Sequence, residues 1–130
     1  LLSGVNLSAA QLQAASYVYV PSRCAALPRA QLTAKCRVHV NYHGCGGGGP
    51  GVVETAGYRE HAEANDLIVL FPQAAAGPGN PNGCWDWTGL TGSEFDTRSG
   101  AQISTVVRMV NDLANAIEWP SASTHASSRN

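Results

Sequence analysis

The stretch best suited to chemistry runs from Arg37 to Cys45 and continues into consecutive glycines at positions 46–49. Val38, Val40 and Tyr42 alternate with polar residues, which is the period-two pattern of a β-strand. Glycine has no side chain, so its backbone approaches a ligand closely and adopts a left-handed φ at no steric cost. A strand that ends in such a loop predicts that backbone N–H groups face a bound ligand.

Three kinds of ligand are compatible with a glycine loop after a strand. The loop matches the dinucleotide pattern G-x-G-x-x-G through Gly44, Gly46 and Gly49, but that site also needs an acidic residue after the next strand. The next strand ends in Phe71-Pro72-Gln73, so a dinucleotide is disfavoured. A phosphate-binding P-loop would need Gly-Lys-Ser/Thr, which the loop lacks. The favoured alternative is an oxyanion hole, in which an amide donates to the negative oxygen of an acyl-transfer transition state.

A second polar and aromatic cluster, Asn-Pro-Asn-Gly-Cys-Trp-Asp-Trp, occupies positions 80–87 within a long loop. Trp85 and Trp87 alternate, so one is expected in the core and the other beside a cleft, as a substrate wall. Asp86 between them is either a second acid or a hydrogen-bond acceptor that orders the loop, and we favour ordering. For His43, likewise, we favour fixing the glycine loop by hydrogen bonds over the role of general base.

Other isolated residues receive ordinary interpretations. We expect His61 to be solvated on a helix and Trp119 to pack near the end of another. Ser93 and Ser99 lack the Gly-x-Ser-x-Gly setting of a nucleophile elbow, and that motif occurs nowhere in the 130 residues.

The four cysteines predict disulfides and an oxidising compartment. Cys36 and Cys45 lie at opposite ends of one strand, roughly 30 Å apart when extended, so they cannot pair. Two connectivities remain, and Cys24–Cys36 with Cys45–Cys84 is favoured because Cys24 and Cys36 flank one loop. Four buried free thiols are the alternative. No spacing matches a zinc site, so no metal or cofactor is expected.

Composition excludes several classes of function. Charged residues make up 13% of the chain and the net charge is -1, so no basic surface for nucleic acid is expected. The longest apolar run, Leu67 to Phe71, is too short to cross a bilayer, so no membrane partner is expected. The chain begins with Leu1 and shows no signal peptide, and we expect further sequence upstream.

These sites require a small α/β framework. Residues 1–16 show weak helical character, and Ser22 to Lys35 reads as a loop. A strand, the glycine loop, a helix and a second strand form one βαβ unit with an expected parallel pairing. The predicted strands are Tyr17–Val20, Arg37–Tyr42 and Leu67–Phe71, and the predicted helices are Val53–Asn65 and Gly100–Glu118.

About three strands and two helices make a thin slab with exposed sheet edges, which predicts a slice of a larger α/β domain. We therefore assign residues 1–119 to part of a catalytic domain. The Ser/Thr-rich residues 120–130 are expected to be a tail or linker.

Several segments together resemble the extracellular poly(3-hydroxybutyrate) depolymerases, in the branch whose catalytic domain is circularly permuted. The resemblance rests on His43-Gly44-Cys45 after the strand, on Ile68 to Gln73, on residues 80–87 and on Ser99-Gly100-x-Gln102. It implies the C-terminal part of an α/β-hydrolase domain and the cleavage of polyester bonds.

Site residues follow from the resemblance by position. The backbone N–H of Cys45 is implied as the oxyanion donor, and its side chain is implied to pair with Cys84. His43, Gly44, Trp85 and Trp87 are implied to contact substrate.

The resemblance also implies that the serine, acid and histidine of the catalytic triad lie outside this chain. The sequence departs from the family at Gly47 and Thr88, where Gln and often Trp occur, which leaves the preferred polymer open.

The sequence thus predicts part of a secreted serine esterase that acts as a monomer on an ester polymer, while the chain alone is inactive. A feruloyl or acetyl carbohydrate esterase is an alternative of the same chemistry. A non-catalytic polymer-binding module using Trp85 and Trp87 is an alternative of another class. The exact hydroxyacid, its chain length and any separate polymer-binding domain stay open.

Overall fold

A three-stranded sheet forms the centre of the computed structural model, which describes residues 5–115. The strands are β1 (Tyr17–Tyr19), β2 (Arg37–Val40) and β3 (Leu67–Phe71), in the spatial order β1-β3-β2. β2 runs parallel to β3, whereas β1 is antiparallel to it. The parallel pair confirms the predicted βαβ unit, although β1 and β2 are shorter than predicted.

β3 is the most buried strand because helices cover both of its faces. Its last four residues are only 1–2% exposed. Leu70 packs against Met109 and Leu113 of α5 (Ala101–Asn115) on one face. Val69 and Phe71 pack on the other face against Ala62 and neighbouring residues. This alternation is what period two dictates for a central strand of β-branched and aromatic residues.

The predicted helix from Val53 to Asn65 is wrong in one respect, because the structure divides it in two. The segment forms α3 (Val52–Thr55) and α4 (Tyr58–Asn65). Gly57 lies between them with φ of 73°, in the left-handed region that ends a helix. The alanines of this segment favour helix on both sides of Gly57 and therefore conceal the break.

The predicted loop from Ser22 to Lys35 is also wrong, because it contains two short helices. These are α1 (Ser22–Ala25) and α2 (Arg29–Lys35), each preceded by a proline whose fixed φ suits a helix start. The disulfide Cys24–Cys36 holds this segment beside β2, with the two Cα atoms 6.1 Å apart. The favoured connectivity is confirmed here and at Cys45–Cys84.

The terminal predictions are only partly covered by the described residues. α5 matches the predicted C-terminal helix as far as Asn115. Residues 5–16 form turns and one bridge between Leu12 and Ala74, rather than a helix. Trp119, the limit at residue 119 and the tail of residues 120–130 lie outside the described residues. Between residues 5 and 115, no helix has the length and hydrophobicity needed to cross a membrane.

Candidate active-site loop and aromatic groove

His43 anchors the start of the glycine loop to the segment that follows β3. Its side chain is 8% exposed, and its Nε2 accepts the N–H of Ala74 at 3.1 Å. Because Nε2 is an acceptor, the ring proton lies on Nδ1, which donates to the Gly44 carbonyl oxygen at 2.7 Å. Both ring nitrogens are therefore occupied, which suits a loop-fixing role and leaves no nitrogen to take a proton from a nucleophile.

Gln73 anchors the other end of the same loop. It is 1% exposed, and its Oε1 accepts the N–H of Gly49 at 2.6 Å. Its Nε2 donates to the carbonyl oxygens of Phe71 at 3.2 Å and Pro72 at 3.1 Å. No role for Gln73 was predicted from the sequence. A side-chain amide just after a buried strand must find hydrogen-bond partners, however, and this requirement could have indicated its contact with the loop.

The loop's own amides divide into two groups. The N–H of Gly46 donates to Asn82 O at 2.7 Å and that of Gly47 donates to Gly44 O at 3.0 Å. The N–H groups of Gly44, Cys45 and Gly48 make no hydrogen bond to any residue between 5 and 115. Cys45 is among the solvent-exposed residues of the loop.

Three glycines of the loop are required for structural reasons, two because of their backbone conformation and one because a side chain would clash with its neighbours. Gly46 and Gly49 adopt left-handed φ values of 70° and 118°, which side chains rarely take. Gly48 has an ordinary φ, but a Cβ there would lie 2.8 Å from Gln73 Oε1. Neither reason applies to Gly44, because it has no left-handed φ and a Cβ there would meet nothing within 4 Å.

The disulfide between Cys45 and Cys84 joins the glycine loop to the aromatic cluster at positions 80–87. The side chain of Asn80 shapes that cluster, because its Oδ1 accepts the Cys84 N–H and its Nδ2 donates to the Cys84 carbonyl, both at 2.8 Å. The structure thus places Cys45 and the two tryptophans of the cluster in one region, as the sequence analysis expected.

The aromatic side chains beside the loop form one wall of a groove. Trp85 is half-buried and stacks edge-on against Tyr42, with ring centroids 4.9 Å apart, and lies 5.5 Å from the His43 ring. Trp87 is 76% exposed. Both tryptophans line the groove, so the expectation that one of them lies in the core is wrong: Trp85 is only half-buried and Trp87 is open. The groove has a volume of 510 Å³, and its lining comprises Tyr42, Trp85, Asp86, Trp87, Phe95, Asp96, Gln102 and Ile103.

Trp85 also has an unusual polar feature. Its indole Nε1 is buried and has no hydrogen-bond partner within the described part of the chain. A buried indole N–H normally finds an acceptor, because leaving it unsatisfied costs roughly 1–3 kcal/mol.

Asp86 orders the aromatic loop and is poorly suited to acid catalysis. Oδ1 accepts the N–H groups of Thr88, Gly89 and Leu90 at 2.8–3.1 Å, and Oδ2 accepts the N–H and hydroxyl of Thr91 at 2.7 Å. Partial burial opposes ionisation, but the bonds from Thr91, Thr88 and Leu90 outweigh it and hold the pKa of Asp86 well below its usual range. The carboxylate therefore stays charged and does not donate a proton near neutral pH.

Gln102 holds the aromatic loop as Gln73 holds the glycine loop. It is 5% exposed, its Oε1 accepts the Asp86 N–H at 2.8 Å, and its Nε2 donates to Ala10 O at 3.0 Å. It occurs in the motif Ser99-Gly100-x-Gln102 but had been given no role. The sequence pattern that could have indicated its burial is its position on the apolar face of α5, in line with Val106 and Met109.

Three residues considered from the sequence take no part in the groove. His61 is solvent-exposed on α4, as expected, and Ser93 and Ser99 are exposed in turns. Among residues 5–115, no group of three or more His, Cys, Asp or Glu side chains is placed to hold a metal ion. The chemistry available here is that of backbone amides beside aromatic surface.

Two curated proteins are similar to the chain in sequence, whereas no protein-family model matches it. It is 34% identical over 140 residues to a polyhydroxybutyrate depolymerase of Talaromyces funiculosus, covering 90% of the chain and 40% of that protein. It is 32% identical over 103 residues to a poly(3-hydroxybutyrate) depolymerase of Delftia acidovorans, covering 76% of the chain and 20% of that protein. The chain therefore spans less than half the length of these relatives.

Two solved structures are similar in fold. One is a PHB depolymerase from Penicillium funiculosum, and the other is a serine-to-alanine variant of a PHB depolymerase complexed with an R3HB trimer. Each matches with a TM-score of 0.70 and 32% identity, over 81% of the chain and 36% of the solved chain. The expected α/β fold, part of an α/β-hydrolase domain, is confirmed over the matched residues.

Proposed function

Because the chain belongs to the polyhydroxybutyrate depolymerase family, we propose that it supplies the oxyanion donor and substrate wall of a secreted serine esterase that cleaves polyester bonds. The observation that carries this proposal is the Cys45 N–H, which has no partner among residues 5–115 and lies on a loop fixed at both ends by His43 and Gln73. A preorganised donor of this kind is often the largest single contribution to acyl-transfer catalysis.

In the proposed reaction, a serine elsewhere in the protein attacks the ester carbonyl and forms an acyl-enzyme. The Cys45 N–H, together with the amide that follows the serine, stabilises the negative oxygen of the tetrahedral intermediate. A general base other than His43 takes the serine proton, since both nitrogens of His43 are engaged. As the ester C–O bond breaks, the base returns this proton to the departing alkoxide, which leaves as the hydroxyl end of the polymer. Water then releases the hydroxyacid product.

The free edge of β2 supports this arrangement. No strand pairs with that edge among the described residues, and it borders an apolar groove of 460 Å³ lined in part by Val38, Val110 and Leu113. A parallel strand added there would end beside Cys45, because the carboxyl ends of parallel strands meet at one edge of a sheet. We assign the serine elbow to such a strand in the remainder of the domain.

The groove beside Trp85 and Trp87 is the proposed polymer contact. Aliphatic polyester offers methyl and methylene groups that pack against aromatic faces such as those of Trp85 and Trp87, which line the groove. Secretion is supported by the two disulfides, which form and persist in oxidising compartments.

A polymer-binding module without catalysis is the second candidate, favoured by the exposure of Trp87 at 76% and Tyr42 at 54%.

The longer protein that contains this chain should be incubated with poly(3-hydroxybutyrate), p-nitrophenyl butyrate and a feruloyl ester, and then with a fluorophosphonate probe.

We expect hydrolysis of the first two substrates and a single labelled serine outside residues 1–130, while the 130-residue chain alone shows neither. Adsorption to polymer without any labelled serine would favour the binding module. Preference for the feruloyl ester would favour a carbohydrate esterase.

A further inference from the structure

We propose that Gln73 is a positioning residue that sets the orientation of the Cys45 N–H. This proposal deepens the proposed esterase function and rests on it for its effect on turnover. Gln73 is 1% exposed, so it acts through the glycine loop and not on substrate. Its three hydrogen bonds connect the loop to the end of the central strand β3.

The geometry makes Gln73 a two-sided clamp. On one side its Nε2 donates to the carbonyls of Phe71 and Pro72, residues that are themselves buried next to the sheet. On the other side its Oε1 accepts the Gly49 N–H at 2.6 Å, four residues beyond Cys45. An amide side chain both donates and accepts, and this site uses both capacities at once.

Contact between the loop and the clamp is close. A Cβ on Gly48 would lie 2.8 Å from Gln73 Oε1 and 3.1 Å from His43 Nε2, so the loop backbone lies directly on these two side chains. With Gly47 N–H bonded to Gly44 O inside the loop, a shift at Gly48 or Gly49 is passed back to the peptide of Cys45.

Neither leucine nor glutamate satisfies the site at neutral pH. Leucine fills similar space but leaves the Gly49 N–H and two carbonyl oxygens without partners. A glutamate carboxylate accepts from Gly49 but faces the two carbonyl oxygens with no proton to donate. When protonated, the same carboxyl regains a donor, and burial raises the pKa of such a group.

This chemistry gives Gln73→Glu a pH-dependent outcome. At acidic pH the introduced carboxyl is protonated, donates to one carbonyl and still accepts from Gly49, so kcat approaches that of the parent. As pH rises through the raised pKa of the carboxyl, the donor is lost and kcat falls. We expect a loss of about 10- to 100-fold at neutral pH, smaller than removal of an oxyanion donor, which costs about 10²–10³.

The test uses the intact protein with parent, Gln73→Glu and Gln73→Leu, with KM and kcat on p-nitrophenyl butyrate measured from pH 5 to 9. Gln102→Glu is the matched control, since Gln102 is a similarly buried amide that clamps the aromatic loop instead. Its KM is expected to rise and its thermal stability to become pH-dependent, without a new ionisation in kcat. For Gln73→Glu we expect the new ionisation in kcat with KM within about twofold of the parent.

Hydrogen exchange on the intact protein tests the clamp without relying on activity. In Gln73→Leu the Gly49 amide should exchange at least about tenfold faster than in the parent, because it loses its acceptor. If the intact protein has no esterase activity, this arm alone decides the clamp, and only the esterase proposal falls.

Two results would overturn the proposal. One is an unchanged exchange rate at Gly49 in Gln73→Leu. The other is a Gln73→Glu enzyme whose kcat follows the parent's pH profile, or whose profile matches that of Gln102→Glu. Should Gln73→Leu fail to fold, the glutamate variant at acidic pH still provides the comparison.

Discussion

Replacing Gly48 by alanine is the sharpest test of how the glycine loop is packed. The new Cβ would lie 2.8 Å from Gln73 Oε1 and 3.1 Å from His43 Nε2, and contacts below 3.0 Å require a displacement. Gln73 is buried and held by its bonds to Phe71 and Pro72, so its oxygen has little freedom to retreat. The substitution must therefore move the loop or break the bond to Gly49.

The expected cost combines three contributions. Forcing a methyl group into a packed site costs about 1–3 kcal/mol, and loss of the Gly49 hydrogen bond costs about 1 kcal/mol where it occurs. Reduced freedom of the unfolded chain offsets about 0.4–1 kcal/mol. The net loss in unfolding free energy is about 1–3 kcal/mol. Since the unfolding entropy is about 2.1 cal/mol/K per residue, this loss lowers the Tm of the 130 residues by about 4–11 °C.

Gly51→Ala is the matched control for this measurement. Gly51 has a right-handed φ of −65° and a Cβ there meets nothing within 4 Å, so alanine fits without strain. Its Tm should stay constant or rise slightly. Thermal unfolding followed by circular dichroism would compare the two variants with the parent. Equal Tm values for Gly48→Ala and Gly51→Ala would refute the packing of the loop on Gln73 and His43.

Three further predictions concern the aromatic loop and its disulfide. Asp86→Asn should lower the unfolding free energy by about 2–4 kcal/mol in urea titrations at pH 7, because an amide cannot accept all five donors. Because the folded-state pKa of Asp86 is lowered, its contribution to stability is complete above about pH 5 and declines as pH falls through the unfolded-state pKa of about 4 toward the folded-state value. The difference between parent and variant should therefore shrink at pH 3, and a difference independent of pH would contradict this. Cys45→Ser combined with Cys84→Ser should lower the unfolding free energy by about 4 kcal/mol, whereas removal of Cys24–Cys36, which closes a shorter loop, should lower it by about 3 kcal/mol. Equal losses for the two disulfides would count against the loop-entropy explanation. Trp87→Ala should weaken adsorption to a polyester film while the unfolding free energy changes by less than about 0.5 kcal/mol, because Trp87 is exposed. A folded variant that adsorbs like the parent would exclude Trp87 from the polymer contact.

The sequence predicted the sheet well because local patterning and burial agree there. Leu67–Phe71 is a run of apolar residues and becomes the central strand, and the period of α5 follows its contact with Leu70. The break at Gly57 and the helices between Ser22 and Lys35 were missed. Short helices bury few residues, so capping and proline positions decide them more than any hydrophobic pattern does.

The site was only partly predictable for a different reason. Alternation and loop composition pointed to Cys45 and the tryptophans, but the residues that hold them act over long sequence separations. Gln73 meets Gly49 across 24 residues, and Gln102 meets Ala10 across 92. No local pattern encodes such partners, because they depend on how the strands and α5 come together. Only the rule that a buried amide needs partners signals them in advance.

The central claim is that the Cys45 N–H is the oxyanion donor, and a crystal structure of the intact protein inhibited by an alkyl phosphonate tests it most directly. The phosphonyl oxygen occupies the position of the oxyanion. The proposed mechanism predicts that it lies about 2.7–3.1 Å from the Cys45 nitrogen, with phosphorus bonded to a serine outside residues 1–130. An oxygen bound instead by the amide of Gly44 or Gly48, or by no amide of this loop, would contradict it.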